Sequence, residues 1–126
     1  MPLQVELVSP ERILYSGEAD MVVARTSEGD IAFLTGHAPF IGALGIGAVT
    51  IRSTDGSDER AAVHGGFVEV SGDRVTILSD VAELASDIDA ARARRALEEA
   101  ERVQDRDDPE VEAALRRARL RVELTT

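Results

Sequence analysis

Apolar and polar side chains alternate in short runs over the first two thirds of the chain, and glycine-containing segments separate many of these runs. In residues 74–78, Val75 and Ile77 share one face while Arg74 and Thr76 share the other, which is the period of a half-buried strand. Turn segments such as 54–57 and 71–74 contain glycine, which reaches positive φ at little cost. The pattern predicts strands at residues 3–9, 12–15, 20–26, 30–34, 48–53, 60–64, 67–70 and 74–78. Eight short strands at this spacing indicate a sandwich or barrel.

The pattern changes to a helical one near residue 86, beyond which the sequence has neither glycine nor aromatic residues. Ser86 and Asp89 have the spacing of a capping box, so we expect Ser86 to cap the first helix. Asp108 followed by Pro109 predicts the start of a second helix. The short link between them predicts an antiparallel hairpin, with helices of about 18 and 13 residues.

A thin apolar stripe follows each predicted helix. Because most of the stripe residues are alanine or valine, the hairpin would bury little area when it packs on another surface. The stripe of the first helix is Ile88, Ala91, Ala96, Ala100 and Val103, and that of the second is Val111, Ala114, Leu115, Ala118 and Val122. We therefore expect two domains, a β domain over residues 1–86 and a helical hairpin over residues 87–126.

Composition and charge exclude several classes of function. The formal net charge is −10 and aromatic residues are 3% of the chain, which argues against nucleic acid and anionic lipid as partners. The absence of lysine excludes a P-loop, and the absence of cysteine excludes disulfides, thiolate zinc sites and cysteine nucleophiles. The two histidines, His37 and His64, have no nucleophile near them in sequence, so both are interpreted as turn or strand-end residues. We expect no catalytic residue, no metal site, and no targeting or membrane-spanning segment.

Several ordered blocks resemble the ATP synthase epsilon subunit. The strongest are Ser27-Glu28-Gly29-Asp30-Ile31 and Gly36-His37-Ala38-Pro39. Further blocks lie at residues 65–70, 75–78, 82–83, 88–93 and 120–124, so the resemblance covers nearly the whole chain. Ala32 and Thr35 depart from the family pattern, which prefers glycine and proline there.

The resemblance implies a fold and a role. The fold is mainly β plus α, with an N-terminal flattened β-sandwich of about ten strands followed by a C-terminal antiparallel two-helix hairpin. The role is that of a non-catalytic rotor subunit in the central stalk, which contacts the gamma subunit and the c-ring and couples proton translocation to ATP synthesis. An exposed apolar patch on the sandwich would meet gamma. The subunit would be peripheral, on the cytoplasmic face of the bacterial cell membrane, without entering the membrane itself.

The resemblance also implies regulation by the hairpin. Its helices extend toward the catalytic alpha and beta subunits and inhibit ATP hydrolysis, and ATP is a regulatory ligand rather than a required cofactor. The implied ATP-binding residues are Glu83, Ile88, Asp89, Arg92, Ala93, Arg117 and Arg121. The implied c-ring contacts are Glu28, Gly29, Asp30 and His37.

Plainer interpretations stay open for these residues. Asp89 is also a natural acid at a helix start, and the arginines of the second helix also suit a solvated face. A non-catalytic β-domain adaptor or scaffold with a helical tail is the alternative function. A scaffold of that kind would not bind a gamma subunit.

Overall fold

The computed structural model describes residues 2–103 and 107–125. Within those residues the chain forms seven strands, a 3₁₀ turn and two helices. The strands are β1 (Leu3–Val8), β2 (Ile13–Thr26), β3 (Gly29–Leu34), β4 (Phe40–Ser53), β5 (Asp58–Ser71), β6 (Arg74–Leu78) and β7 (Ala82–Leu84). The 3₁₀ turn is Ala85–Asp87, and the helices are α1 (Ala90–Arg102) and α2 (Pro109–Leu124).

The sheet closes on itself. Its hydrogen-bonded order is β1-β6-β5-β4-β2-β3, and β1 pairs with β2 as well, so five strands form a complete ring. The pairing of β1 with β6 is parallel and the other pairings are antiparallel. Alternate residues of these strands point inward and form one apolar core, whose largest fully buried side chains include Phe33, Leu3, Leu7, Ile51 and Ile77. A closed sheet has few open edges and is well suited to a stiff domain.

The predicted sandwich followed by two helices is confirmed, whereas about ten strands are not, since the described residues contain seven. Three strands are 14 residues long. Strands β2 and β5 each unite two runs that the sequence pattern separates, and β4 extends the predicted strand at 48–53 back to Phe40. In β5, Gly65 and Gly66 have positive φ yet lie inside a continuous antiparallel pairing. Glycine inside a strand often marks a bend. The separate predicted strands at 60–64 and 67–70 are therefore parts of one strand, β5.

The start of α1 differs from the prediction. Its N-cap is Asp89, whose carboxylate accepts a hydrogen bond from the Arg92 backbone N–H at 3.1 Å. Ser86 lies in the 3₁₀ turn before it, so the predicted Ser86 cap is wrong. The predicted cap of α2 is confirmed, because the Asp108 carboxylate accepts from the Glu110 N–H at 2.9 Å with Pro109 at the first turn.

The helices pack in a different way from the predicted stripes. They contact each other and span 13 and 16 residues, not about 18 and 13. In α1, Ala93 is the buried residue, while Ala91 and Ala96 are exposed. In α2, Leu120 and Leu124 are buried in addition to the predicted Leu115 and Ala118, because α2 contacts β4 and β5 as well as α1. Over the described residues, neither helix has the length and hydropathy to cross a membrane.

Candidate functional site

The second helix docks on the sandwich through a small apolar cluster. Leu120 and Leu124 pack with Ala62 of β5, and four half-buried apolar residues surround them. These four are Ile46, Ala48, Ala85 and Ile88. Burial of two leucine side chains is worth about 2 kcal/mol each. We call these seven residues the docking cluster. The docking cluster is separate from the main core and much smaller than it.

A polar group lies beside the docking cluster. Arg121 of α2 donates its Nε–H to the Oε1 atom of Glu83 in β7 at 2.6 Å. The same carboxylate oxygen lies 3.3 Å from Nε2 of His64 in β5. The side chains of Glu83 and Arg121 are each about one-third exposed, whereas that of His64 is 3% exposed. One carboxylate thus joins the helix to two strands of the sandwich.

The environment shifts the pKa values of this group. Burial opposes ionisation of Glu83, but the hydrogen bond and charge of Arg121, helped by His64, hold its pKa below the ordinary value. Burial is the main cause that lowers the pKa of His64, and the Arg121 and Arg117 charges lower it further, against the opposing effect of Glu83. Glu83 is therefore ionised and His64 neutral at neutral pH.

A cleft of about 340 Å³ opens next to this group, between the 3₁₀ turn and the two helices. Its volume is at the lower end of the range for small-molecule sites. Its lining combines the apolar side chains of Ile88, Ala93 and Ala96 with carboxylate and guanidinium groups, and a guanidinium can bind an anionic group. The lining residues are Glu83, Asp87, Ile88, Asp89, Arg92, Ala93, Ala96 and Arg121.

Six of the seven residues predicted for ATP line that cleft: Glu83, Ile88, Asp89, Arg92, Ala93 and Arg121. Arg117 does not line it and instead acts electrostatically on His64. Asp87 and Ala96 line the cleft without having been predicted, although Ala96 lies three residues after Ala93 on the same helix. The link of His64 to Glu83 was also missed, because 19 residues separate them and the strand register alone brings them together.

The residues predicted for the c-ring lie at opposite ends of β3. Glu28 lies in the β2–β3 turn, and Gly29 and Asp30 are the first residues of β3. His37 follows the other end of that strand, which is about 17 Å long at the rise of an extended chain. Asp30 accepts from the Arg25 Nε–H at 3.0 Å and lines a groove against α2. His37 packs edge-on against Phe33, with ring centroids 5.0 Å apart. One partner would have to extend along all of β3 to touch the four residues.

An exposed apolar row crosses a different face of the sandwich. Val8 pairs with Ile13 and with Leu78, and Leu78 pairs with Phe67, so the four side chains stand side by side on the outer surface. Phe67 is 59% exposed, Ile13 is 59% exposed and Leu78 is 48% exposed. Apolar side chains this exposed and this continuous mark an interaction surface. We call Ile13, Val8, Leu78 and Phe67 the apolar row.

Potential metal ligands are not grouped in the part of the chain that the structure describes. No cluster of three or more histidine, aspartate and glutamate side chains is placed there to hold a metal ion.

Comparison with known proteins adds sequence and fold relatives. Residues 2–85 match the family model "ATP synthase, Delta/Epsilon chain, beta-sandwich domain". The chain is 52% identical over 96 residues to the ATP synthase epsilon chain of Streptomyces griseus, covering 76% of this chain and 77% of that one. It is 49% identical over 123 residues to the ATP synthase epsilon chain of Thermobifida fusca, covering 95% and 89%.

Two solved structures have a similar fold. A chain of the Euglena gracilis mitochondrial ATP synthase, from a structure of OSCP, F1 and the c-ring, gives a TM-score of 0.75 at 22% identity, over 97% of this chain and 76% of that one. A chain of the Tetrahymena thermophila mitochondrial ATP synthase central stalk and c-ring gives 0.64 at 21% identity, over 100% and 98%. At these identities the likeness is one of fold.

Proposed function

The chain belongs to the ATP synthase epsilon chain family, and from that premise we propose that it works as a rotor subunit in the central stalk of an F-type ATP synthase. As a member of this family the chain is a non-catalytic subunit. Family membership also argues against the alternative function of a free-standing adaptor. The sandwich binds the gamma subunit and the c-ring, and couples proton translocation to ATP synthesis. The closed sheet supports this role, because a part that transmits torque must be stiff.

The partners divide between surfaces. The apolar row supplies the gamma contact, because its exposed side chains gain most from burial. The β2–β3 turn, the start of β3 and the segment around His37 contribute to the c-ring contact through Glu28, Gly29, Asp30 and His37. Binding to the ring would hold the subunit on the cytoplasmic face of the bacterial membrane as a peripheral protein. The Tetrahymena relative of the fold comes from a structure of a central stalk and c-ring, which agrees with these partners.

The hairpin is the regulatory element. The docking cluster carries this proposal, because a contact of a few kcal/mol can be exchanged for another one of similar strength. When docked, the hairpin lies beside the sandwich and leaves hydrolysis free. When released, it extends toward the catalytic alpha and beta subunits and inhibits ATP hydrolysis.

Truncation after Ser86 tests both the domain division and the inhibition. The main core cluster lies entirely before that residue, so we expect residues 1–86 to fold as a sandwich. We expect ATP hydrolysis by the assembled complex to rise several-fold relative to the complex with the full chain, because the blocking element is gone. Steady-state hydrolysis on matched preparations measures this. An unchanged rate would show that the helices do not inhibit.

ATP binds in the cleft beside Glu83 in the docked state. Asp89 and Arg92 line this cleft, and so does Ala93, which is nearly buried and whose small side chain leaves room for a base. Arg121 supplies positive charge for phosphate but is already bound to Glu83, so phosphate competes with that carboxylate. Arg117 reaches phosphate only if its side chain moves toward the cleft. ATP would stabilise the docked state, because it would bind that state more tightly than the released one.

The Arg92→Gln variant should bind ATP about tenfold more weakly, since it loses a charged hydrogen-bond donor worth about 1.4 kcal/mol or more. Arg94→Gln is the matched control, because Arg94 is exposed on the same helix and does not line the cleft. Titration of the full chain with ATP by calorimetry measures both. Equal affinities in the two variants would remove Arg92 from the site, and no binding by the unaltered chain would remove ATP.

A further inference from the structure

We propose that His64 is a proton-sensing residue that releases the hairpin from the sandwich when its surroundings become mildly acidic. The geometry of His64, Glu83 and Arg121 points to this role, in which the ligand that controls docking is a proton. The inference rests on the proposed function in one respect, since it takes the docked hairpin as one of two positions.

His64 lies at the point where three elements meet. Its backbone N–H donates to the Val81 carbonyl at 3.0 Å, and its ring is covered on nearly all sides. The charged groups that face it come from two elements, Glu83 from β7, and Arg117 and Arg121 from α2. On the β4 side its strand partner is the apolar Ile46. Both positive charges therefore belong to the helix that would move away.

The ring is built for the neutral form. Its Nδ1 atom is buried and has no hydrogen-bond partner among the described residues. When the Nε2–H donates to Glu83, Nδ1 is an unprotonated acceptor, whose burial costs less than that of an N–H carrying positive charge. Protonation would place that charge beside Arg117 and Arg121 with no new acceptor. Docking of α2 therefore disfavours proton binding at His64.

The direction of the pH effect follows from linkage. In the docked state the pKa of His64 lies below its ordinary value of about 6.5, because of burial first and the Arg121 charge second. In the released state α2 and its arginines are gone, the ring meets water, and the pKa returns toward that value. Protons then bind the released state more tightly, so docking is fully favoured above about pH 6.5 and weakens as the pH falls below it.

Glu83 does not act in the same window. Docking holds its pKa below the ordinary value of about 4.3, so its contribution to docking is lost only in stronger acid. Between pH 5.5 and 7.5, His64 is thus the titrating group of this cluster. Within the proposed function, mild acidification would free the inhibitory helices and restrain ATP hydrolysis.

A distance measurement on the full chain tests the proposal. The chain has no cysteine, so Ser57→Cys and Glu112→Cys provide two exposed labelling positions, one on the sandwich and one on α2. Spin-label distances resolve docked and released populations. Between pH 7.5 and 5.5 we expect the docked-to-released ratio to fall by about threefold or more, and by no more than tenfold per pH unit, the limit for one proton.

The two histidines provide a matched pair of variants. His64→Gln in the labelled chain should show a ratio independent of pH, while His37→Gln should respond as the labelled chain does. The proposal is overturned if both populations are present and their ratio ignores pH, or if His64→Gln keeps the response. A single docked population at every pH, with and without ATP, would overturn the movable hairpin itself and the proposed regulation with it.

An NMR titration of the unaltered chain tests the proposal even if His64→Gln does not fold. The Cε1–H signals of His37 and His64 in the unaltered chain report each ring separately. We expect the His64 signal to titrate below the ordinary imidazole pKa of about 6.5 and to follow the distance change. A His64 midpoint at or above that value would contradict the proposal.

Discussion

Replacing Gly66 by alanine should lower the free energy of unfolding by about 3 kcal/mol or more. Gly66 has φ +121°, a conformation that side chains other than glycine rarely adopt. A Cβ atom there would lie 2.1 Å from the Leu78 carbonyl oxygen and 2.9 Å from the Ser79 Cα. Both contacts are with backbone, so relief requires a shift of β5 against β6 rather than a change of rotamer.

Gly72→Ala is the matched control for this substitution. Gly72 also has positive φ, +59°, but a Cβ atom added there would have no neighbour within 4 Å, so only the conformational cost of about 1–2 kcal/mol applies. Thermal and urea unfolding followed by circular dichroism measure the two variants. We expect Gly66→Ala to melt about 10 °C or more below the unaltered chain and clearly below Gly72→Ala. Equal losses in both variants would mean that β5 and β6 separate easily at this point.

The same glycines mark the limit of prediction from the sequence pattern. Strand type and most strand positions follow from alternation, as in Arg74–Leu78, which is predicted with its observed bounds. The pattern cannot tell a bend from a turn, because glycine with positive φ serves both. Gly65 and Gly66 therefore divide one strand into two in the prediction. The 3₁₀ turn likewise displaced the helix cap from Ser86 to Asp89, since both residues suit an N-cap.

The candidate site also has a part that the sequence predicts and a part that it does not. The motif at residues 88–93 is local in sequence, so its resemblance to the family is enough to group Asp89, Arg92 and Ala93, which do line one cleft. The role proposed for His64 could not be predicted in this way, because it depends on Arg121 reaching β7 across 38 residues. Long-range contacts of this kind are set by strand register and helix docking, which a single sequence does not specify.

Strand β5 connects the two surfaces of the molecule. Before the Gly65–Gly66 bend, Ala62 and His64 face the hairpin, and after it Phe67 stands in the apolar row. The residues that bind the helix and those proposed to bind gamma thus belong to one continuous strand. The bend separates them, so a substitution at Phe67 can probe the gamma contact without touching the docking cluster.

Phe67→Asp should weaken binding of the full chain to its gamma subunit by about 100-fold or more, equivalent to about 2.7 kcal/mol. Phe67 is 59% exposed at one end of the apolar row, whose burial against gamma supplies the binding energy in the proposed function. A carboxylate there would lose its water without gaining a partner. Phe67→Leu, which keeps an apolar side chain, should retain most of the affinity. Val103→Asp places the same charge at an exposed apolar residue outside the row and should bind gamma with unchanged affinity.

Calorimetric titration of these variants with gamma gives the affinity and the stoichiometry, and we expect the stoichiometry to be 1:1. Equal affinity of Phe67→Asp and the unaltered chain would move the gamma contact off the apolar row, and absence of binding by the unaltered chain would remove gamma as its partner.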